Sequence, residues 1–307
     1  MIVLVAPGQG SQTPGFLTPW ISDPSSRALV EQLSDASGVD LITHGTVSDA
    51  DTIRDTSIAQ PLIVAAGLVT AHALFERVDR SLVAGVAGHS VGELTAAALA
   101  GVVSEADAVS LVSVRAKAMA EAAAETPTGM SAVLGGDEGE LLAQLERLGL
   151  EPANFNGGGQ IVVAGALDAL ARLAEEPPAK ARVVPLQVAG AFHTRYMQSA
   201  VAYLSAAAAV VTARNPEIPL WTNSDGSLVT SGRRYLDLLV AQVASPVRWD
   251  KTMESFQTAG ITGQIELAPA GALTGLAKRG LKGVPSVAIK TPDDLQAAVD
   301  LLQGAAV

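Results

Sequence analysis

The stretch Ser81-Leu82-Val83-Ala84-Gly85-Val86-Ala87-Gly88-His89-Ser90-Val91-Gly92-Glu93-Leu94-Thr95-Ala96 decides how this chain is read. Residues 81–87 form a short apolar run, as expected for a strand buried on both faces. Residues 93–100 are rich in Ala and suit a helix. Between them, Gly88, Ser90 and Gly92 satisfy G-x-S-x-G in the strand–turn–helix setting that the motif requires. Such a turn lifts the serine hydroxyl clear of the backbone, and its glycines let the chain pass closely without a Cβ. The helix beginning at Val91 adds partial positive charge nearby. Ser90 is therefore a candidate nucleophile. The alternative is a Gly-rich turn that happens to hold a serine, and the flanking strand and helix argue against it.

Moving outward, strand-like and helix-like segments alternate, which predicts an α/β fold with a mostly parallel sheet. Residues 2–6 form a first buried strand, 60–75 a helix and 105–124 a second long helix. Pro127-Thr128-Gly129 breaks the pattern. Beyond it, strands over 130–134 and 182–188, helices over 138–148 and 168–176, and a hairpin around Asn156-Gly157-Gly158-Gly159 give the order β-α-β-β-α-β. This predicts a small ferredoxin-like subdomain over 127–192, inserted in a large catalytic subdomain made of 1–126 and 193–307. Helices over 197–212 and 233–244 and strands over 220–222 and 264–267 belong to the large part. The tail Gly304-Ala305-Ala306-Val307 is expected to fray.

Composition narrows the function. A chain of 307 residues can bury a large core. Its net charge of −11 disfavours nucleic acid and anionic membranes as partners. No run reaches the roughly 18 uninterrupted apolar residues of a membrane span, and the N-terminus has no basic leader. There is no cysteine, which removes thiolate catalysis and Cys-based metal sites and fits a reducing cytoplasm.

A serine hydroxyl needs a base, and there are four histidines: His44, His72, His89 and His193. His72 sits in a helix, His44 in a polar loop, and His89 is expected to pack pointing away from the hydroxyl. His193 lies between a strand and a helix, where α/β sites assemble. It is the best placed of the four, and nothing in the spacing alone settles the choice.

Six motifs in order make the pattern specific: Gly8-Gln9-Gly10-Ser11-Gln12; Gly88-His89-Ser90-Val91-Gly92-Glu93; a lone Arg115; Asn154-Phe155-Asn156; Phe192-His193-Thr194; and Gln242-Val243-Ala244-Ser245-Pro246-Val247-Arg248-Trp249. Together, over essentially the whole chain, they resemble the malonyl-CoA:acyl carrier protein transacylases, and they are similar to the acyltransferase domains of polyketide synthases. The resemblance implies an α/β-hydrolase-like core. It also implies transfer of malonyl from CoA to the phosphopantetheine thiol of acyl carrier protein through an acyl-serine, with no cofactor and no metal, by a cytoplasmic protein expected to be a monomer. Ser90 would be acylated and His193 would be the base. The main-chain carbonyl of Gln242 would orient the imidazole in place of a triad acid, for which Asp225, Asp250 and Glu266 would otherwise be searched. Backbone N–H groups of Gln9 and Val91 would form the oxyanion hole. Arg115 would grip the free carboxylate of malonate with its planar fork, against the ordinary fate of a solvated helix charge. Phe192 would fill the space that an α-methyl needs, and Asn156 would line the acyl pocket.

The sequence departs from the family in having Glu266-Leu267-Ala268-Pro269-Ala270 where Glu-x-Gly-Pro-Gly is usual, and Thr194 where Ser is frequent. Alanines at 268 and 270 disfavour positive φ there. An acidic carrier needs a basic surface, and Lys278, Arg279 and Lys282, with Arg195, are the candidates, against a plain solvated face. The competing readings are a serine hydrolase or thioesterase, which has no use for Arg115, a non-catalytic carrier-binding module, and a polyketide acyltransferase acting in trans. The free-standing length favours a discrete enzyme.

Overall fold

The computed structural model describes residues 1–188 and 190–304. The chain opens with β1 (Ile2–Ala6), then α1 (Pro24–Ser37), α2 (Leu41–Thr46) and α3 (Thr56–Phe75). Next come β2 (Val83–Gly88), α4 (Gly92–Leu99) and α5 (Glu105–Glu125). A second group follows: β3 (Thr128–Gly135), α6 (Glu138–Leu148), β4 (Glu151–Gly157), β5 (Gln160–Ala166), α7 (Leu167–Glu175) and β6 (Ala181–Pro185). The rest holds α8 (Gln198–Val210), α9 (Gly232–Gln242), β7 (Val247–Arg248), α10 (Trp249–Thr258), β8 (Gly263–Glu266), α11 (Ala272–Gly280), β9 (Ser286–Ala288) and α12 (Leu295–Leu302). It is an α/β fold with two sheets. Residues 305–307 of the tail expected to fray lie outside the described residues.

The first sheet has the order β2-β1-β8-β9, with every pair parallel. Helices cover it, and β1 and β2 read as unbroken apolar runs, β1 being Ile-Val-Leu-Val-Ala and buried throughout, whereas β8 is Gly-Gln-Ile-Glu and buries two polar side chains. In register, Ala6 faces Gly88 and Val5 faces Glu266. The C-terminal ends of β1, β2 and β8 therefore coincide, and the segments that leave them share one edge, where open α/β sheets bind ligands. By length and composition α3 could cross a membrane, but 78% of its most apolar window is buried in the protein, packed on α4 and α5. An Asp55 carboxylate caps its first turn.

The second sheet has the order β6-β3-β5-β4-β7. Its first four strands pair antiparallel, whereas β7 adds to β4 in parallel through Asn154–Val247 and Phe155–Arg248. It has its own apolar cluster, with Val133, Leu141, Leu145, Val163 and Leu173 at its centre. The sheet thus extends past residue 192 by borrowing a strand from further along the chain. Expected strands at 220–222 and 182–188 are shorter in fact. The first is reduced to isolated bridges from Leu220 and Trp221, and the second ends at Pro185, whose ring and lost N–H suit a strand end. Neither Ala268 nor Ala270 has a positive φ.

Candidate active site

The turn after β2 is held by close backbone contact. A Cβ on Gly88 would lie 2.0 Å from the Gly92 carbonyl carbon, and one on Gly92 would lie 2.2 Å from the Ala6 oxygen. Only glycine fits either position. The turn forces Ser90 to φ 53°, left-handed for a residue with a side chain, and His193 is similar at φ 62°. Strain of this kind costs on the order of 1 kcal/mol per residue and collects at functional sites. The Asn223 side chain braces the turn. Its Oδ1 accepts from the Ser90 N–H at 2.7 Å, and its Nδ2 donates to the Gly88 carbonyl at 2.6 Å.

The Ser90 hydroxyl lies 2.7 Å from His193 Nε2. On the other side of the ring, Nδ1–H donates to the Gln242 carbonyl at 2.8 Å. A carbonyl only accepts, so the proton of the neutral imidazole is on Nδ1, and Nε2 is left as the acceptor for the hydroxyl. Burial first, then the Arg115 charge, push the His193 pKa down to about 3. The carboxylates that might have replaced the carbonyl are engaged elsewhere. Glu266 accepts from the Leu273 and Thr274 amides at the start of α11, Asp250 pairs with Arg248, and Asp225 accepts from the Ser227 amide.

Arg115 is buried on α5, 1% exposed. One Nη donates to Gln60 Oε1 at 2.6 Å; the other donates to Gln242 Oε1 at 2.9 Å and reaches Ser90 Oγ at 3.3 Å. Its Nε has no partner among the described residues. Burial pulls the guanidinium pKa down to about 10, with nearby Glu93 acting the other way. A buried cation beside a serine can donate charge-assisted hydrogen bonds to an anion.

A cavity of about 400 Å³ opens above these groups. Ser90, His193, Gln9, Val91, Phe192 and Asn156 all line it, and so does Arg279. Arg115 does not line it but lies next to it, behind Ser90 and Gln60. Asn156 Oδ1 accepts from His89 Nε2–H at 2.9 Å, and His89 lies edge-on to Trp249. The Gln9 and Val91 amides have no hydrogen-bond acceptor among the described residues. Lys278 and Lys282 are exposed near Arg279 but away from the lining. Arg195 is held elsewhere, by Glu151 and the Tyr196 ring.

Three polar residues of this site escaped the sequence reading as participants: Gln60, Glu93 and Asn223. The signal for two of them is a polar side chain inside an apolar helix, Gln60 in α3 and Glu93 opening the Ala-rich α4. Asn223 has no local signal, since its role depends on a contact 133 residues away in sequence.

The family model "Acyl transferase domain" matches residues 3–298. The malonyl CoA-acyl carrier protein transacylase of Mycobacterium bovis is 50% identical over 305 residues, covering 98% of this chain and 100% of that protein. The crystal structure of MCAT from Mycobacterium tuberculosis superposes with a TM-score of 0.94 at 50% identity, covering 97% of this chain and 99% of the other. A malonyl-transacylase, PlMCAT, in complex with the type II PKS acyl-carrier protein AntF matches with a TM-score of 0.92 at 29% identity, over 99% of both chains. With a serine, a carbonyl-tethered histidine and a buried arginine gathered at one sheet edge, the chain belongs to the acyl transferase domain family, among its malonyl CoA-acyl carrier protein transacylases.

Proposed function

We propose that the chain transfers a malonyl group from CoA to the phosphopantetheine thiol of an acyl carrier protein through an acyl-Ser90 intermediate. The observation that carries this is the line from Ser90 Oγ through His193 to the Gln242 carbonyl, with the Arg115 guanidinium beside the hydroxyl. In the first half-reaction the hydroxyl proton passes to His193 Nε2 as Oγ bonds to the thioester carbon. The oxyanion is taken by the Gln9 and Val91 amides, whose hydrogens are free to point into the cavity. Collapse breaks the C–S bond, and the CoA sulfur takes the proton from Nε2. In the second half-reaction the pantetheine thiol gives its proton to Nε2, its sulfur bonds to the acyl carbon, and as the O–C bond breaks Oγ takes that proton from Nε2, restoring both Ser90 and the neutral imidazole. No step calls on a cofactor.

The malonyl carboxylate would displace the Gln60 oxygen and take the Nη edge of Arg115. Phe192 would exclude an α-methyl, and Asn156 would stay a wall residue. We read the first sheet with its turn at Ser90 as α/β-hydrolase-like. We read residues 127–192 as a ferredoxin-like subdomain set in a larger unit of 1–126 and 193–307. The antiparallel order β6-β3-β5-β4 supports the second reading. Carrier docking falls to Arg279, at the cavity, with Lys278 and Lys282; Arg195 is the weaker candidate because Glu151 already pairs with it. The proposal includes a monomer acting in the cytoplasm, which sedimentation and cell fractionation would test.

The deciding experiment is intact mass after mixing with malonyl-CoA. One added malonyl group is expected on the parent chain, discharged by holo carrier protein, and none on Ser90→Ala. Rapid loss of the adduct to water with no carrier product would mean a hydrolase. Offering fatty acid and polyketide carriers in parallel would identify the pathway served.

A further inference from the structure

Glu93 is a buried acid, 1% exposed, that none of the proton transfers above uses. It lies within a chain of side chains that ends at the reacting groups. One carboxylate oxygen accepts from the Asn223 N–H at 2.7 Å, and the other accepts from Gln242 Nε2. The same Gln242 amide presents Oε1 to Arg115 at 2.9 Å, and its main-chain carbonyl holds His193. We infer that Glu93 is a positioning residue that fixes which end of the Gln242 amide faces Arg115, and so holds the guanidinium ready for the acyl carboxylate. This rests on the malonyl reading of Arg115 given above.

An amide has one donating and one accepting end, and packing alone does not tell them apart. Arg115 can only donate, so it must meet Oε1. An ionised Glu93 can only accept, so it must meet Nε2. The two charges at opposite ends of one amide leave it a single orientation. The backbone carbonyl of Ser90 and Asn223 Oδ1, both acceptors near the same Nε2, agree with it at 3.1 and 3.3 Å. Burial pushes the Glu93 carboxyl up to about 7, while the Asn223 amide, the Thr222 and Gln242 side chains and Arg115 all favour the ionised form. Glu93→Gln changes the shape little and removes the polarity. The residue at 93 could then donate, Gln242 could turn over, and Nε2 would face a cation.

The test measures single-turnover acylation of Ser90 by malonyl-CoA and by acetyl-CoA in the full chain, reading the ratio of kcat/KM values. Glu93→Gln should lower the malonyl:acetyl ratio about tenfold, chiefly through malonyl KM, as expected for one disturbed hydrogen bond to a charge. Gln242→Met removes the relay but keeps the carbonyl that holds His193, and should give the same loss, with no further loss in the double variant. Tyr235→Phe removes the hydroxyl that donates to the Glu93 main-chain oxygen, so it disturbs the fold around Glu93 without touching its carboxylate, and should leave the ratio unchanged. A ratio that falls in Arg115→Ala but not in Glu93→Gln overturns this inference alone. A ratio unchanged in Arg115→Ala overturns the malonyl reading, and this inference with it. If Glu93→Gln does not fold, Gln242→Met decides: an unchanged ratio there leaves Glu93 nothing to act through.

Discussion

Replacing Arg115 with Ala separates what this residue does for folding from what it does for acyl choice. In the folded chain burial pulls the guanidinium pKa down to about 10, well below that of a solvated arginine. That difference corresponds to a net cost of about 3 kcal/mol for keeping the charge buried. Removing the side chain relieves this cost but leaves the Oε1 atoms of Gln60 and Gln242 buried without donors, at about 1–3 kcal/mol each. The two effects oppose one another, so thermal stability should move by only a few degrees. Acyl selection has no such offset. A malonyl carboxylate deprived of a buried cationic partner should lose about 3 kcal/mol, a factor on the order of 10² in kcat/KM, whereas an acetyl group has nothing to lose. The assay is acylation of Ser90 by the two thioesters, followed by mass spectrometry, with differential scanning calorimetry alongside. A malonyl:acetyl ratio within about twofold of the parent value would refute the reasoning, and a collapse in stability with both acyl groups equally slowed would mean that the arginine serves the fold only.

Other consequences are open to measurement. His193 has a pKa of about 3 when folded, far below that of a solvated histidine, so the unfolded chain takes up a proton that the folded chain refuses. The stability this gives is present above pH 6.5 and is lost as pH falls towards 3. The difference in unfolding free energy between the parent and His193→Gln should therefore shrink by about 1.5 kcal/mol between pH 6.5 and 5.0, and a constant difference in urea titrations would contradict it. Phe192→Ala should admit methylmalonyl-CoA, improving its kcat/KM relative to malonyl-CoA by about tenfold to a hundredfold, since one methyl is worth about 1–3 kcal/mol; no gain would show that the ring does not set the pocket. Reversing Lys278 and Lys282 to Glu should raise the KM for an acidic carrier at low salt, with the effect fading as salt rises, and leave loading from malonyl-CoA alone. Equal carrier KM values in parent and variant would place docking elsewhere.

Much of this architecture can be read from local pattern because local pattern causes it. The apolar run of β1, the Ala-rich α4 after Gly88-His89-Ser90-Val91-Gly92, and the hairpin at residues 157–159 each carry their own periodicity or turn chemistry. The elements that went unread are α1, α2, β7, α10, α11, β9 and α12, of which β7 and β9 are only 2 and 3 residues long. The one that matters most, α11, has no side-chain cap at Gly271; its Leu273 and Thr274 amides donate instead to the Glu266 carboxylate on the preceding strand, a contact outside the usual capping spacing. The site divides in the same way. Ser90 is visible in its motif, and the resemblance points to His193, Arg115 and Gln242. Asn223 and Glu93 act across separations of 133 and 149 residues, through hydrogen bonds that only the folded chain creates. Arg195 illustrates the reverse limit: a basic residue looks available in sequence until Glu151 is found beside it.

The parallel pairing of β7 with β4 bears on how substrates enter. Val247 and Arg248 follow, within a few residues, the Gln242 carbonyl that tethers the imidazole, and they are stitched to Asn154 and Phe155 of the smaller sheet. A jaw-like swing of that sheet away from the serine would have to tear this seam and drag the imidazole's anchor with it. On the reading proposed above, a thioester and its pantetheine arm would thread into a standing slot rather than be clamped by a closing sheet.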